Sequence, residues 1–367
     1  MHATLNPRQQ AQLAFVSSGA ELEVGHPDDC PLPLATLATT DGSEAYVSQV
    51  LSGGLTAHVY RIEAQGRSWT LKRARERCLV QNADGQTSFL NEVQRRADLR
   101  ALKARPELAD RLEGIVDTRY ASFRHGVLLS PWIEGKVVSD WNEARLTDLF
   151  DTVITLASHG LFEWDLCPGN VLDDGRIRLF DFGYLYRFDP LREFNSDGLA
   201  GPGFHPVERF ETRQFFAWLL SQERLGSDRA LAAFRLEKAI ALERYQGWRS
   251  ELEQRGATSA VLERLTAVIG RWQTALSGSA EALYLCEAWR SHRLDLADDL
   301  DGQTCTPLTL QRLAWLRDMA ETRYDDLHRC GALAGEQSGG RAALLDQLQR
   351  AEAQAIGWQV PGATPQP

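Results

Sequence analysis

The stretch Asp165-Leu166-Cys167-Pro168-Gly169-Asn170, followed by Asp181-Phe182-Gly183, decides how the fold of this 367-residue chain is interpreted. Between these two motifs, Asp174-Gly175 separates two short apolar runs. Asp-Gly between apolar runs is the strongest short signal for a β-hairpin. The sequence therefore predicts that a hairpin brings Asn170 and Asp181 to neighbouring positions.

The side chains of these motifs suit metal-assisted transfer chemistry. Asn170 and Asp181 offer the hard oxygen ligands that Mg²⁺ prefers, and Mg²⁺ usually takes few protein ligands and shares substrate phosphates. Asp165 can orient and deprotonate an attacking hydroxyl. Each motif alone is a common accident, but their order and spacing across one hairpin make the combination specific.

A glycine-containing turn lies upstream, between two predicted strands. It reads Ser52-Gly53-Gly54-Leu55-Thr56-Ala57, and Val59 follows after one further residue. Glycines at such a turn let backbone N–H groups approach phosphate oxygens closely. The turn does not match G-x-G-x-x-G, because Ser52 and Ala57 stand where the first and third glycines would be. An ordinary tight turn therefore remains an alternative.

Lys72 lies on the third strand of a predicted antiparallel meander, and Glu92 follows on a predicted helix. A lysine that points inward from a strand could hold phosphate groups, but a buried ammonium needs a counter-charge. Glu92 can supply that charge, and Glu76 and Glu113 are competitors for the role. Taken alone, Lys72 could equally be a solvated strand lysine.

Hydrophobic periodicity gives a coarse map of the chain. Strands come first, then a helix, two more strands and a second helix, and every periodic segment beyond about residue 206 is helical. The predicted strands cover 45–50, 58–62, 68–72, 114–123 and 126–131, and the predicted helices cover 89–102, 144–157, 212–223, 228–245, 260–276, 280–292, 308–327 and 341–355. The tryptophans of the helical region are expected to be core residues.

Taken together, these features resemble the protein-kinase-like superfamily, which includes eukaryotic-type protein kinases and the aminoglycoside and choline phosphotransferases. The similarity covers about residues 46–210. It implies an ATP site between a small β-rich lobe and a larger helical lobe, with residues 52–57 and Val59 in the loop that covers the phosphates. It further implies that Lys72 and Glu92 form an ion pair and that Asp165 is the catalytic base.

The resemblance also assigns the remaining nucleotide and metal contacts. Asn170 and Asp181 would hold Mg²⁺. The segment Ser130-Pro131-Trp132-Ile133-Glu134-Gly135 resembles the hinge that meets adenine, which assigns Ser130 and Trp132 to the ATP site.

The catalytic loop departs from the family pattern in two places. Glu163 stands where most members have a histidine that braces the loop, so altered packing is expected rather than lost chemistry. Cys167 stands where Ser/Thr protein kinases usually have a lysine, and with Pro168-Gly169-Asn170 the loop looks closer to the small-molecule phosphotransferases. The complete Asp181-Phe182-Gly183 instead resembles the protein kinases.

The expected fold class is α+β, a bilobal protein-kinase-like fold. Its N-lobe would hold a small antiparallel β-sheet and one helix, and its C-lobe would be mainly helical with a C-terminal helical extension. The expected divisions are an irregular N-terminal extension with one short helix (1–44), the N-lobe (45–134), the catalytic core of the C-lobe (135–210), a helical subdomain (211–358) and a disordered tail (359–367).

The composition argues against several classes of binding partner. The net charge of −10 argues against nucleic-acid binding, which needs a basic surface. No segment approaches the roughly 18 apolar residues of a membrane span, and no secretion signal is evident at the N-terminus. The six scattered cysteines show no zinc-site spacing and indicate reduced thiols. These features predict a cytoplasmic protein.

The leading hypothesis is an ATP- and Mg²⁺-dependent phosphotransferase that moves the γ-phosphoryl group to an unidentified hydroxyl acceptor, a small molecule or an atypical substrate. A bacterial Ser/Thr protein kinase, which would phosphorylate a protein, and an enzyme that transfers AMP are alternatives on the same fold. A nucleotide-binding pseudokinase scaffold would keep the fold without transfer. If the motifs were coincidental on an unrelated α+β fold, Lys72 and Asp181 should lie far apart.

Overall fold

The computed structural model describes residues 5–51, 54–80, 82–199, 203–334 and 339–360. The predicted mixture of α and β structure, with an antiparallel sheet and a helical region, is confirmed. The chain divides into two compact units. Unit 1 comprises Met1–Val137 and Gly169–Tyr186, and unit 2 comprises Val138–Pro168 and Arg187–Pro367.

Unit 1 is built on a six-stranded antiparallel sheet. Its strands are β1 (Glu23–Gly25), β2 (Val47–Leu51), β3 (Ala57–Ala64), β4 (Arg67–Ala74), β5 (Tyr120–Ser122) and β6 (Val127–Pro131). Their order across the sheet is β1-β5-β6-β4-β3-β2. The predicted meander is confirmed as β2-β3-β4, in which Val59 lies opposite Lys72.

The first 44 residues contain more regular structure than predicted. They form α1 (Pro7–Ser17), strand β1 and α2 (Leu34–Thr39), whereas the sequence predicted an irregular extension with one short helix. Because β1 has only three residues, it is too short to show a two-residue hydrophobic period. The start of α1 carries a clearer signal, since Asn6 and Gln9 form a capping box around Pro7.

Helix α3 (Ala83–Lys103) and the short helix α4 (Pro106–Ala109) follow the meander. Phe89 and Val93 of α3 pack against one face of the sheet. The helix begins at Ala83, earlier than the predicted residue 89, and Asn82 caps it by accepting the N–H of Gly85 at 2.8 Å. Its first turn is polar, so no apolar periodicity marks that part of the helix.

The strand predicted over 114–123 is wrong in its first half. Only Tyr120–Ser122 joins the six-stranded sheet. Ile115 instead forms an isolated parallel bridge with Leu179, and the N–H of Val116 donates to the carbonyl of Leu179. Ile115 and Val116, which suggested a longer strand, therefore pair with Leu179 and not with the six-stranded sheet.

The predicted hairpin is present in unit 1. A three-stranded antiparallel sheet contains β7 (Lys136–Val137), β9 (Val171–Asp173) and β10 (Ile177–Leu179), with β9 in the centre. Gly175 has a φ of +109°, in the region that favours glycine, so the Asp-Gly turn closes the hairpin without steric strain.

Unit 2 is mainly helical. It contains α5 (Glu143–Ser158), β8 (Leu161–Glu163), α6 (Pro206–Phe210), a π-helical turn (Glu211–Phe215), α7 (Phe216–Leu225), α8 (Ser227–Gln254), α9 (Ser259–Ser277), α10 (Glu281–Gly302), α11 (Pro307–Thr322), α12 (Tyr324–Arg329) and α13 (Gly340–Gly357). Strand β11 (Leu185–Arg187) covers the sequence junction of the two units. Of the tryptophans expected to be core residues, Trp248, Trp272, Trp289 and Trp315 are buried. Trp218 is only half-buried, and its indole donates to the carbonyl of Ser139 at 3.2 Å.

Two residues near the end of the chain contact Cys305. Gln359 bridges to Cys305, and the N–H of Val360 donates to the carbonyl of Cys305, so these two residues of the predicted disordered tail are held in place. Residues 361–367 lie outside the described residues. Within the described ranges, no helix has both the length and the apolar character needed to cross a bilayer.

Candidate functional site

Lys72 lies in the middle of β4, an interior strand of the unit 1 sheet. Side chains alternate along β4, so Leu71 joins the core on one face while Lys72 faces the side where α3 packs. The residue is only 3% exposed. The alternative of a solvated strand lysine is therefore wrong, and its charge must be compensated inside the protein.

Two carboxylates surround the Lys72 ammonium. Nζ lies 2.9 Å and 3.1 Å from the two oxygens of Glu92 and 2.7 Å from Oδ2 of Asp181. The predicted Lys72–Glu92 pair is thus present, and the competitor Glu113 is instead paired with Arg176. Lys72 and Asp181 are in contact, whereas the alternative with coincidental motifs predicted that they lie far apart.

Arg96 adds a second cation that the sequence analysis missed. Its Nη2 donates to Glu92 at 2.8 Å and also to the carbonyl of Phe180, and its guanidinium lies 4.6 Å from the ring centroid of Phe182. Two cations and two carboxylates therefore balance in charge. The sequence offered one signal for this contact, because Arg96 lies four residues after Glu92 on the predicted helix. That spacing is also common in exposed ion pairs on helices, so it does not identify a buried one.

The pKa of Asp181 is lowered, although burial acts in the opposite direction. The charge and hydrogen bond of Lys72 outweigh desolvation, and the N–H of Gly183 donates to Oδ1 at 3.2 Å. Asp181 therefore stays ionised at neutral pH, as a ligand of a divalent cation must be.

Asn170 and Asp181 leave the β9–β10 hairpin from the same end. Asn170 ends a short 3₁₀ turn, Pro168–Asn170, directly before β9, and Val171 pairs with Leu179 of β10. The hairpin therefore places both residues beyond its last strand pair, as the sequence predicted. One amide oxygen and one ionised carboxylate are hard donors, so this donor set fits Mg²⁺.

The glycine-containing turn is described only from Gly54 onward, since Ser52 and Gly53 lie outside the described residues. A Cβ on Gly54 would lie 2.3 Å from the carbonyl oxygen of Ala57, so only glycine fits this turn. The carbonyls of Gly54, Leu55 and Thr56 accept hydrogen bonds from Arg75 Nε, Leu79 N–H and Arg75 N–H, respectively. Ala57 is buried beneath the turn, at the start of β3.

Ser130 is the penultimate residue of β6, and Trp132 directly follows this strand. Ser130 is buried and pairs with Thr70 of β4. Two residues further along β4, Lys72 pairs with Leu128, so Ser130 lies close to Lys72 along the paired strands β4 and β6. The N–H of Trp132 donates to the carbonyl of Ser68 at 3.2 Å. Its ring lies 4.7 Å from the guanidinium carbon of Arg61.

Asp165 belongs to unit 2, in the loop after β8. Glu163 is buried, and its Oε1 accepts the N–H of Asp165 at 2.8 Å. The neighbouring Trp164 donates from its indole to Ser196 at 2.8 Å, and the guanidinium of Arg209 lies 5.1 Å from the Trp164 ring. Glu163 thus braces the loop through a hydrogen bond, in line with the expectation of altered packing.

Arg213 holds the carboxylate of Asp165 and was not found from the sequence. Its Nε donates to Oδ1 of Asp165 at 3.0 Å, and its Nη1 is paired with Asp295 of α10. Asp295 is held in turn by the fully buried Arg312, at 2.9 Å. No periodic pattern links these residues, but Arg213 lies in the π-helical turn, a feature that often occurs at functional sites.

Unit 1 thus brings Lys72, Glu92 and Asp181 into direct contact and places Asn170 at the same end of the hairpin as Asp181. Unit 2 holds Asp165 between Glu163 and Arg213. Neither a protein-family model nor a curated protein matches this chain.

Proposed function

We propose that this chain is an ATP- and Mg²⁺-dependent phosphotransferase that moves the γ-phosphoryl group of ATP to a hydroxyl acceptor. The observation that carries the proposal is the cluster in which the buried Lys72 contacts both the buried Glu92 and the half-buried Asp181. A lysine fixed by a helix carboxylate, beside a second carboxylate that stays ionised, is an arrangement suited to nucleotide phosphates and a divalent cation.

Each member of the cluster has a distinct task in this proposal. The ammonium of Lys72 contacts phosphate oxygens, and Glu92 together with Arg96 holds the ammonium in place. Asn170 and Asp181 would hold Mg²⁺, which neutralises charge on phosphate oxygens when bound. Lys72 and Glu92 are buried and Asp181 is half-buried, and all three are prearranged. Their electrostatic effect on the phosphates is therefore stronger than in water.

Asp165 is the proposed base. Its carboxylate accepts the proton of the acceptor hydroxyl, and the hydrogen bond from its own N–H to Glu163 fixes the loop. The acceptor is a small molecule or an atypical substrate, as the Pro168-Gly169-Asn170 ending of the loop indicates. A typical protein acceptor would instead make the chain a Ser/Thr protein kinase.

A nucleotide-binding pseudokinase is the second candidate, and the Arg213–Asp165 pair favours it. The guanidinium of Arg213 donates to Oδ1 of Asp165, which is one of the two oxygens that could accept a proton from the acceptor hydroxyl. In that case Lys72, Asn170 and Asp181 would bind nucleotide and metal, and no group would be transferred.

Turnover measurements on isosteric variants separate these candidates. ATP consumption and nucleotide binding are measured for wild type, Asp165→Asn and Asp181→Asn with aminoglycosides, choline, sugars and a generic protein as acceptors. The matched control is Asp110→Asn, because Asp110 is exposed in unit 1. We expect turnover in wild type and in the control, and loss of about a hundredfold or more in both site variants.

The products decide the remaining alternatives. Formation of ADP and a phosphorylated acceptor supports phosphotransfer, whereas pyrophosphate release and an AMP adduct would show AMP transfer. Saturable nucleotide binding without turnover across the acceptor panel would favour the pseudokinase. Absence of nucleotide binding would contradict the proposal.

A further inference from the structure

Helix α1 is tied to α3 by side-chain hydrogen bonds within unit 1. Arg8 and Gln9 both donate to Oδ1 of Asp84, at 2.9 Å and 3.0 Å. Further along the helix, Nε2 of Gln12 donates to Oδ1 of Asn91 at 3.1 Å. Asn91 directly precedes Glu92, so α1 is connected to the turn of α3 that holds the Lys72 ammonium.

Asn91 continues this connection to the segment that follows Asp181. Its Nδ2 lies 2.9 Å from the carbonyl oxygens of both Gly183 and Leu185, and 3.4 Å from that of Phe182. Carbonyl oxygens only accept hydrogen bonds, so the amide nitrogen of Asn91 must face them. Asn91 is 1% exposed, so water cannot replace its amide group as the donor to these carbonyls.

The orientation of Gln12 is fixed by the same reasoning. Since the oxygen of Asn91 can only accept, the nitrogen of Gln12 must face it, which leaves the Gln12 oxygen as an acceptor. That oxygen accepts the hydroxyl of Thr87 and the guanidinium of Arg8, each at 3.2 Å. The hydrogen bonds thus run in one direction, from Arg8 and Thr87 through Gln12 and Asn91 to the backbone after Asp181.

Both ends of α1 are held by other parts of unit 1. At its start, the guanidinium of Arg8 lies 3.7 Å from the ring centroid of Tyr186, which follows Asp181 in the same segment. At its end, Arg124 donates to the carbonyls of Phe15 and Val16, at 3.2 Å and 3.1 Å. Helix α1 is therefore held by the turn between β5 and β6, by α3 and by residues 182–186 together.

We propose that α1 is a positioning element of the phosphate and metal site, with Gln12 and Asn91 as positioning residues that fix the backbone after Asp181. This inference rests on the proposed function only in calling the Lys72–Asp181 cluster a nucleotide and metal site. Arg96 holds the carbonyl before Asp181, and Asn91 holds the carbonyls after it, so α3 fixes Asp181 from both sides. The hydrogen bond from Gln12 orients Asn91 for this task.

Gln12→Glu tests the inference with almost no change in shape. The new carboxylate can still accept from Arg8 and Thr87, but it cannot donate to Asn91. Gln10→Glu is the matched control, because Gln10 is an exposed residue of the same helix whose side chain donates only to the Leu5 carbonyl among the described residues. We expect the Mg²⁺ concentration for half-maximal activity to rise about tenfold in Gln12→Glu and to stay unchanged in Gln10→Glu.

Amide hydrogen exchange supplies a readout that does not depend on activity. We expect exchange in residues 181–186 to become about tenfold faster in Gln12→Glu, while exchange in β3 and β4 is unchanged. Arg8→Ala should give a smaller acceleration of about threefold in residues 181–185, because it leaves the Gln12–Asn91 hydrogen bond in place; Tyr186 is left out of this comparison, since its ring contacts Arg8 directly. If Gln12→Glu fails to fold, Arg8→Ala carries the test.

Two results would overturn the inference. The first is that Gln12→Glu shows the same exchange rates in residues 181–186 and the same Mg²⁺ dependence as wild type. The second is that exchange in Gln12→Glu becomes faster uniformly across unit 1, which would show a purely structural role. Failure of the proposed function is recognised separately, because wild type itself would then show no nucleotide binding. In that event the exchange measurement still decides whether Gln12 and Asn91 hold this segment.

Discussion

At the scale of single residues, Lys72 shows how one buried charge organises unit 1. The backbone of β4 directs it to the face where α3 packs, and Glu92, Arg96 and Asp181 balance its charge. A buried ion pair is weak evidence for stability, because desolvation offsets the attraction, whereas loss of one partner leaves the others uncompensated. This asymmetry separates the structural role of Lys72 from its proposed role in phosphate binding.

Lys72→Met should lower stability and remove nucleotide binding together. We expect a loss of about 3 kcal/mol in the free energy of unfolding, because Asp181 would lose its ammonium partner while Glu92 would keep Arg96. In the double variant Lys72→Met/Glu92→Gln, stability should recover in part, while nucleotide binding should not. Chemical denaturation and nucleotide titration measure the two effects.

A surface pair serves as the control for this prediction. Glu113→Gln breaks the exposed pair with Arg176, and we expect a change of less than about 1 kcal/mol. Full recovery of nucleotide binding in the double variant would contradict the role assigned to Lys72.

If the chain is a phosphotransferase, Arg213 orients the Asp165 carboxylate and should act on turnover rather than on nucleotide affinity, whereas a pseudokinase would show no turnover for the Arg213 variants to change. Arg213 contacts Asp165 and Asp295 in unit 2, so Arg213→Ala is expected to lower kcat about tenfold to a hundredfold and to leave the KM for ATP unchanged. Arg213→Lys keeps the positive charge but has no planar guanidinium to donate to Asp165 and Asp295 together, so its kcat should lie between those of wild type and Arg213→Ala. The control is Arg192→Ala, whose side chain is 80% exposed. An unchanged kcat with a raised KM would contradict this assignment.

At the scale of elements, the sequence predicts what has a regular pattern and misses what depends on distant contacts. The meander, the Asp-Gly hairpin and most helices of unit 2 were predictable, because alternation, turn residues and apolar spacing are local signals. The single helix predicted over 308–327 is wrong, since α11 ends at Thr322 and α12 begins at Tyr324. Strand β1 was missed because three residues show no period. Arg213 was missed because its partner Asp295 lies 82 residues away and no local rule links them.

Two glycines in helices should respond to alanine with opposite signs. A Cβ on Gly85 would lie 2.4 Å from Cβ of Val80, so Gly85→Ala must shift the first turn of α3 and should destabilise by about 1–3 kcal/mol. Gly247 of α8 has no neighbouring atom within 4 Å of an added Cβ, so Gly247→Ala should stabilise by about 1 kcal/mol. Thermal unfolding of the two variants checks the signs, and a stabilising Gly85→Ala would contradict the tight packing at Val80.

At the scale of the whole molecule, buried charges connect stability to pH. In unit 2, Lys238 is fully buried and pairs with Glu211, Glu237 and Glu287. One ammonium cannot compensate three ionised carboxylates at low dielectric. Burial raises the pKa of Glu237 from 4.5 to about 7, with a smaller contribution from the charge of Glu287.

The pKa of Glu237 predicts how stability changes with pH. The pKa of Glu237 is higher in the folded protein than in the unfolded chain, so between about pH 4.5 and pH 7 the folded protein keeps a proton that the unfolded chain releases. The free energy of unfolding therefore falls as pH rises through this range. Glu237→Gln should therefore stabilise the protein increasingly over this range, by up to about 3 kcal/mol at pH 8. Thermal unfolding of wild type and variant at several pH values measures it, and a pH-independent difference would contradict the assignment.

The central claim is that the cluster of Lys72, Asn170 and Asp181 binds the phosphates of ATP together with Mg²⁺. The most direct test is a calorimetric titration of ATP into wild type, Lys72→Met and Asp181→Asn, each with and without Mg²⁺. We predict saturable binding to wild type that Mg²⁺ strengthens at least tenfold, loss of the Mg²⁺ effect in Asp181→Asn, and weak binding to Lys72→Met under both conditions. Equal binding to all three proteins, or no binding to wild type, would contradict the claim.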